Sequence, residues 1–363
     1  MMRIGKFTDF YRDVTKAGTK IPQEKYLKVG HYPVIDQGRQ AIVGRWDSDD
    51  GICKEIPAII FGDHTRAIKY IEEPFFIGAD GVKILRPVNV QDNPKYLYYA
   101  LQAARIPNLG YSRHFKALKE LDFHVCSIEK QDEIVRILEK IDYLIEQCHE
   151  EDSCLNQIVK SRFIELFGDP KDNPKGYSKK QLKETCRVIT GNTPSRAVSE
   201  YYGDHIEWIK TDNIVSGLLN PTTATESLSE KGMAVSRTVE SGAILMACIA
   251  GSIASIGRVC VTDRKVAFNQ QINAIVPSDY NILFLYVMLQ ISKEYLVDEI
   301  NMALKGILSK SKLEEKTFYV PPMELQEQFA AFVTQVDKSK LAIQKSLEKL
   351  EMLKKSLMQK YFG

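Results

Sequence analysis

The sequence predicts an α+β chain: two α/β domains separated by two long antiparallel coiled-coil helices, the whole forming a pseudo-two-fold internal repeat. Three observations carry this reading. One segment recurs at a fixed distance along the chain, both copies hold a helical apolar seam, and similar short apolar runs precede each copy.

The repeat is read first, because missing one misreads a whole fold. Residues 127–168 lie over residues 322–363 without a gap, each shifted by 195 positions (131 onto 326). Glu129 falls on Glu324, Gln131 on Gln326, Asp142 on Asp337, Leu155 on Leu350 and Phe167-Gly168 on Phe362-Gly363. Upstream at the same shift, Leu118, Phe123 and Val125 fall on Leu313, Phe318 and Val320. The expected division is a first domain over 1–126, a central long helix over 127–168, a second domain over 169–320 and a C-terminal long helix over 321–363.

Periodicity assigns the helices. Steps of three and four pass through Ile134, Ile137, Ile141, Leu144, Cys148, Glu151, Leu155, Ile158 and Arg162 in the first copy. In the second they pass through Phe329, Phe332, Val336, Ser339, Ile343, Ser346, Leu350, Leu353 and Leu357. Both are heptad-like seams. Ser127 is a candidate N-cap, Pro321-Pro322 precede the second start, and Gly168-Asp169-Pro170 ends the first helix. At ~1.5 Å per residue each rod is about 60 Å long. A lone amphipathic helix of that length needs a partner for its stripe, and the nearest is its own repeat. A pseudo-two-fold relation pairs the helices antiparallel, with the globular parts at opposite ends. The alternatives are packing of each helix on its own domain, or dimerisation with another chain.

In the globular parts, Ile56-Pro57-Ala58-Ile59-Ile60-Phe61-Gly62 and Ser241-Gly242-Ala243-Ile244-Leu245-Met246 suit buried strands. Second strand candidates follow at 81–86 and 271–276, then helix-like stretches at 97–102 and 285–290. The cores agree while the loops differ, which is the pattern of recognition modules.

Composition sets the class. The 363 residues fit about two domains, and 44% hydrophobic with 26% charged residues is ordinary for a globular chain. Lys+Arg 49 against Asp+Glu 47 gives a net charge of +2, which excludes a polybasic protein but allows local positive charge. The seven cysteines show no C-x-x-C pair, so neither a disulfide scaffold nor a zinc ribbon is expected. The opening residues lack an apolar core of signal-peptide length, and no run approaches the ~18 apolar residues of a membrane span. The expectation is a soluble cytoplasmic protein that does not engage a membrane.

The glycines exclude chemistry. Nowhere are two separated by a single residue, which removes G-x-G-x-x-G and the F-x-G-x-G loop of DNA methyltransferases. No G-K-S or G-K-T exists for a Walker A loop. Asp92-Asn93-Pro94-Lys95-Tyr96 approaches the N-P-P-Y of adenine methyltransferases, but Lys95 replaces the second proline. The same D-N-P-K recurs at Asp172-Asn173-Pro174-Lys175, so it reads as turn chemistry. The histidines have no paired metal spacing, and Cys148, His149 and Cys154 read as helix-face residues. No catalytic and no metal residue is expected.

Asn192-Thr193-Pro194-Ser195-Arg196, then Tyr201-Tyr202-Gly203 and Ile206-Glu207-Trp208-Ile209-Lys210-Thr211, carry a family likeness. Gly251-Ser252-Ile253, Phe268-Asn269-Gln270-Gln271, the junction Phe167-Gly168-Asp169-Pro170 and Pro321-Pro322 with Gln326-Glu327-Gln328 extend it. In that order these residues resemble the specificity (S) subunit of type I restriction–modification systems. The first half departs from the pattern, offering His31-Tyr32-Pro33-Val34-Ile35-Asp36-Gln37-Gly38 in place of the T-P-S element and the I-x-W strand.

The resemblance implies a non-catalytic subunit in which each target-recognition domain reads one half of a bipartite double-stranded DNA site. The helices would act as a ruler across the spacer. Two methylation (M) subunits would dock on the helices and domains, and restriction (R) subunits would complete the nuclease. S-adenosylmethionine, ATP and Mg would belong to those partners, with no cofactor in this chain. A type IIB-like or modification-only complex is a near alternative, and a coiled-coil interaction protein without a DNA role is a distant one.

Groove readout needs short polar or arginine side chains, with Lys and Arg on phosphates. The first-domain DNA candidates are Gln37, Arg39, Gln40, His64, Thr65, Arg66, Ser112, Arg113 and His114. In the second domain they are Thr193, Ser195, Arg196, Lys210, Thr211, Ser252, and Lys305 and Lys310 of the late loop. The plain alternative for each is a solvent-exposed loop residue. Asn269 and Gln271 fit structural hydrogen bonds, and Lys345, Lys349 and Lys354 fit solvated helix flanks.

Overall fold

The computed structural model describes residues 2–110, 112–298, 300 and 306–363. By contact the chain divides into two compact units, Met1–Gln147 with Ser346–Gly363, and Cys148–Lys345. Each holds one globular domain and a part of both long helices.

The first unit is built on a four-stranded antiparallel sheet in the order Tyr11–Asp13, Val82–Pro87, Ala58–Gly62, Ile68–Ile71. Side chains alternate along a strand, so Ile59 and Phe61 enter one core with helix Pro94–Ala103 and the start of the central helix. Ala58 and Ile60 enter a second core with Ile35 and Ile77 of a three-stranded sheet. That sheet runs Gly44–Trp46, Tyr32–Ile35, Phe76–Ile77, the last two strands parallel. Burial on both faces is why Ala58–Gly62 reads as one continuous apolar run.

The second unit repeats the plan. Its four-stranded sheet runs Cys186–Thr190, Ile272–Pro277, Ile244–Ala247, Val259–Val261. Ile244 and Met246 face the core with helix Ile282–Ile291, while Leu245 and Ala247 face the other core. In the second sheet Ile206–Ile209 runs parallel to Val266–Phe268, with Trp208 opposite Ala267 and Ile209 opposite Phe268. The first unit sets Val34 opposite Phe76 and Ile35 opposite Ile77 in the same way. Tyr32–Ile35 therefore takes the place of the I-x-W strand that the first half lacks in sequence. A short buried strand requires apolar bulk, not one particular residue.

The long helices are Ile128–Phe167 and Met323–Phe362, 40 residues each. In the first unit Ile134, Val135 and Leu138 share a core with Leu357, Met358, Tyr361 and Phe362, and Lys354 pairs with Asp142 at 2.5 Å. In the second, Phe163 and Phe167 pack on Phe329 with ring centroids 5.4 and 5.6 Å apart, and Lys340 donates to Asn156 at 2.9 Å. Within each unit, numbers on one helix fall as those on the other rise, so the pairing is antiparallel.

The heptad seam needs correction. Ile134, Ile141, Phe329 and Val336 are buried, and Ile137, Leu155, Phe332, Ile343, Leu350 and Leu357 are half-buried. Leu144, Ile158 and Leu353, however, are 36%, 44% and 47% exposed. The steps also skip the buried Val135, Leu138, Phe163, Phe167, Ala330 and Val333. Where a domain also covers the helix, the buried stripe is wider than a two-helix seam. Between 142 and 162 no residue of the central helix is fully buried. No helix among the described residues is long and apolar enough to cross a membrane.

One hydrogen-bond motif fixes each long helix to its domain. Gln131 and Gln326, both fully buried, accept the Asn93 and Asn281 N–H at 2.8 and 2.9 Å. Their amide NH₂ groups donate to the Cys126 and Pro321 carbonyls at 3.0 and 2.8 Å. Asn93 and Asn281 in turn cap the helices Pro94–Ala103 and Ile282–Ile291. Asp92-Asn93-Pro94-Lys95-Tyr96 is thus a capped helix start locked to the central helix. Gln326→Leu would leave a buried N–H and a carbonyl unpaired; the expected loss is about 1–3 kcal/mol for each group left unsatisfied, measured as a lower urea midpoint of the full chain.

Candidate nucleic-acid interface

In the first unit the loop 36–40 leaves the end of strand Tyr32–Ile35. Buried Lys69 anchors it, its ammonium 2.8 Å from the Asp36 carbonyl and 3.2 Å from the Asp36 carboxylate. Burial lowers the Lys69 pKa, and Asp36 opposes that shift. Gln37 is half-buried: its carbonyl accepts the Thr65 hydroxyl, and its side-chain oxygen accepts the His64 N–H at 3.3 Å. Gly62 must be glycine, since a Cβ there would lie 2.4 Å from the Gln37 carbonyl oxygen. Arg39, Gln40, His64, Thr65, Ser112 and Arg113 are exposed around this junction.

Two first-domain candidates are placed otherwise. Arg66, at φ 59°, donates to the Ile106 carbonyl at 3.1 Å, so its guanidinium ties two loops together. His114 is 1% exposed. Its Nδ1–H donates to the Asp63 carbonyl at 2.9 Å and its Nε2 accepts the Leu109 N–H at 3.1 Å. A ring with both nitrogens engaged inside the protein is a strut for the 106–114 loop. An exposed loop and a buried strut look alike in sequence.

The second unit gathers equivalent loops with equivalent bonds. The Ile209 carbonyl accepts the Asn269 N–H at 3.0 Å, as the Ile35 carbonyl accepts that of Gly78 at 2.8 Å. Cys248 donates to Gln271 as Asp63 does to Gly81, both at 2.8 Å; Leu308 donates to Cys248 as His114 does to Asp63, again at 2.8 Å. Thr193 on this edge bonds Gln270. Ser195 and Ser252 are exposed, and the Thr211 carbonyl accepts from Arg258 at 3.1 Å. Arg196 and Lys210 converge on Glu226 at 2.6 and 2.7 Å. Lys310 lies on helix Lys310–Glu315, paired with Glu314 at 3.5 Å. Lys305 falls outside the described residues. Asn269 and Gln271 serve structural hydrogen bonds to each other.

Two residues escaped the sequence reading. Gln270 is exposed between the buried Asn269 and the half-buried Gln271, in the turn joining strands Val266–Phe268 and Ile272–Pro277, and its polar position directly after an apolar strand was the signal that could have found it. Glu226 carries no sequence signal; only folding brings it to Arg196 and Lys210.

A groove flanks the long helices in each unit. One, of about 680 Å³, is lined by Gln102, Asp142, Ile145, Glu351, Lys354 and Lys355 among others. Shifted by 195, five of these positions become Asp337, Lys340, Asn156, Val159 and Lys160, which line the second groove of about 570 Å³ together with Gln290. Asp142 is satisfied by the Tyr99 hydroxyl at 2.7 Å and by Lys354. Asp337 has no such hydrogen bond among the described residues, the Lys340 ammonium being engaged by Asn156 and by the Gly217 carbonyl at 2.6 Å. Burial therefore holds the Asp337 carboxyl above its usual range, with Lys340 pulling the other way. A carboxyl whose pKa is raised by folding destabilises the protein above that folded pKa, and the penalty vanishes below the unfolded value. Asp337→Asn should raise the thermal midpoint at neutral pH and leave it unchanged below roughly pH 4, as read by paired melts.

Comparison with known proteins gives the following. The family model described as "Type I restriction modification DNA specificity domain" matches residues 3–153 and 174–353. The chain is similar to the type I restriction enzyme HindI specificity subunit of Haemophilus influenzae, 32% identical over 120 residues, covering 32% of this chain and 25% of that protein. It is also similar to the type I restriction enzyme MjaIX specificity subunit of Methanocaldococcus jannaschii, 27% identical over 195 residues, covering 52% of this chain and 44% of that protein. The matched part thus spans a quarter to under half of those relatives. Among solved structures, the type I restriction–modification S subunit from M. genitalium superposes with a TM-score of 0.64 at 16% identity, covering 100% of this chain and 96% of that one. A chain from a study of assembly and conformational transition of the type I R-M system gives 0.51 at 17% identity, covering 99% and 97%. At these identities the likeness is one of fold.

Proposed function

The chain belongs to the type I restriction modification DNA specificity family, and from that premise we propose that it is the sequence-reading, non-catalytic subunit of a cytoplasmic methylation and restriction complex. Each domain reads one half of a bipartite duplex target, and the paired helices set the spacer between the halves. The observation that carries this is the doubled loop set: the same backbone hydrogen bonds hold loops of unrelated sequence at the same strand ends in both domains. A constant frame with variable edges is what two different half-sites require. Direct readout falls to Gln37, Gln40, His64, Thr65, Ser112, Thr193, Ser195, Arg196, Thr211 and Ser252, with Arg39, Arg113 and Lys310 supplying charge; Lys210, paired with Glu226, supports the loop edge, and Lys305 is proposed from sequence alone.

Two methylation subunits dock along the long helices. The support is that the two grooves are repeats of one another, so one partner surface fits both. Restriction subunits join the complex through those partners. S-adenosylmethionine, ATP and Mg act on the partner subunits, in keeping with the missing glycine loops. With a net charge of +2, affinity rests on local cations at the loop edges rather than on a basic surface as a whole.

The test is single-molecule methylation sequencing of DNA from cells expressing the chain with its methylation subunit. One bipartite motif is expected, and exchanging loops 36–40 and 62–66 should alter one half-site while sparing the other. Arg39→Ala should make the slope of log K against log salt shallower by about 0.9, the value for one lost phosphate contact. A methylome indifferent to the presence of this chain would refute the reading.

A further inference from the structure

Two aromatic rings fix the loop that follows strand Cys186–Thr190. The Tyr202 hydroxyl donates to the Pro194 carbonyl at 2.7 Å, and the Trp208 indole N–H donates to the Asn192 carbonyl at 3.3 Å. The rings meet edge to face with centroids 6.1 Å apart. Over them lies the Arg196 guanidinium, its carbon 4.4 Å from the Tyr202 centroid and 5.3 Å from that of Trp208. The Lys210 ammonium lies 5.1 Å from the Trp208 centroid. Glu226 closes the cluster, one oxygen on Arg196 and the other on Lys210. These two cations hold the Glu226 carboxyl below its usual range, Lys210 more than Arg196, so it stays ionised at neutral pH.

The two cations differ in what they can still do. The Lys210 side chain is 26% exposed and its ammonium is occupied, whereas the Arg196 side chain is 56% exposed. Among the described residues Arg196 bonds only through one Nη2–H, which leaves the second Nη2–H and its neighbouring N–H as a two-donor edge, in a plane set by the rings and the carboxylate. A phosphate contact needs charge alone, and Glu226 cancels part of the charge here. A base contact needs a fixed planar fork, and guanine offers two acceptors, O6 and N7, that match it. A side chain already held in its bound orientation also loses less freedom on binding.

We propose that Arg196 reads a guanine edge in the half-site of the second domain, and that Glu226 is the positioning residue that aims it. This rests on the DNA-reading role given above. Lys210 supports the pair by centring Glu226 between two cations. The expected target therefore holds a G·C pair whose recognition depends on both residues.

The experiment is methylation sequencing with the chain and its methylation subunit co-expressed, comparing wild type with Arg196→Lys, Glu226→Gln and Glu226→Asp. R196K keeps the charge and loses the fork; E226Q loses the anchoring charge, and E226D keeps it. R196K and E226Q should each relax one G·C pair of one half-site by roughly tenfold or more, leaving the other half-site and spacer unchanged. E226D should retain more of that preference than E226Q. Co-purification with the methylation subunit checks assembly; should E226Q not assemble, R196K on its half-exposed side chain decides alone. A wild-type motif preserved at every G·C pair in R196K, or a uniform loss across all sites with no change of motif, would overturn the assignment. A wild-type chain that leaves no bipartite motif defeats the DNA-reading role itself and is told apart by that control.

Discussion

A helix of 40 residues with an apolar stripe is not stable until that stripe is covered, and this chain contains two. Much of the molecule follows from how the covering is done. Toward its ends each helix is flanked by a globular domain and by the other helix, and the largest side chains collect there: Phe163, Phe167 and Phe329 against Phe284 in one unit, Phe362 against Tyr96 in the other. Burial of aromatic side chains supplies most of the attraction at such junctions. Elsewhere the stripe is only half-covered, and exposed leucines remain on it.

Apolar burial does not by itself fix orientation, and the buried glutamines do. Gln131 and Gln326 each join the start of a long helix to the cap of a domain helix through an accepted hydrogen bond and donate to the Cys126 or Pro321 carbonyl, Gln131 donating also to Asp92. Once buried, such an amide must keep its partners or lose stability, so it resists sliding or rotation of the helix. The motif appears twice at corresponding positions, which ties the domain frame to the rods in the same way in both units. Loops at the strand ends can then vary without disturbing the frame that holds them.

The loop edges show how a nearly neutral chain can present positive charge. Cations that support the frame are buried or paired: Lys69 under Asp36, Lys340 on Asn156 and Gly217, Lys210 on Glu226. Those left for a partner, such as Arg39 and the outward face of Arg196, lie at loop tips or on aromatic shelves. The same residue types thus do two kinds of work, and burial separates them.

The repeat, the two long helices and the buried central strands were legible in the sequence, because periodicity and spacing are local along the chain; the D-N-P-K motif read as a turn, and folding made its first copy a capped helix start. So was the family likeness, carried by short motifs in order. The depth of Val135 and Leu138, the exposure of Leu144, Ile158 and Leu353, the burial of His114 and the meeting of Glu226 with Arg196 and Lys210 were not. Each depends on which surface arrives from a distant part of the chain, and a residue's type and spacing do not encode what covers it. The sequence determined that one unit is written twice and which stretches are rods; tertiary packing decided which polar residues became struts and which stayed free to face a ligand.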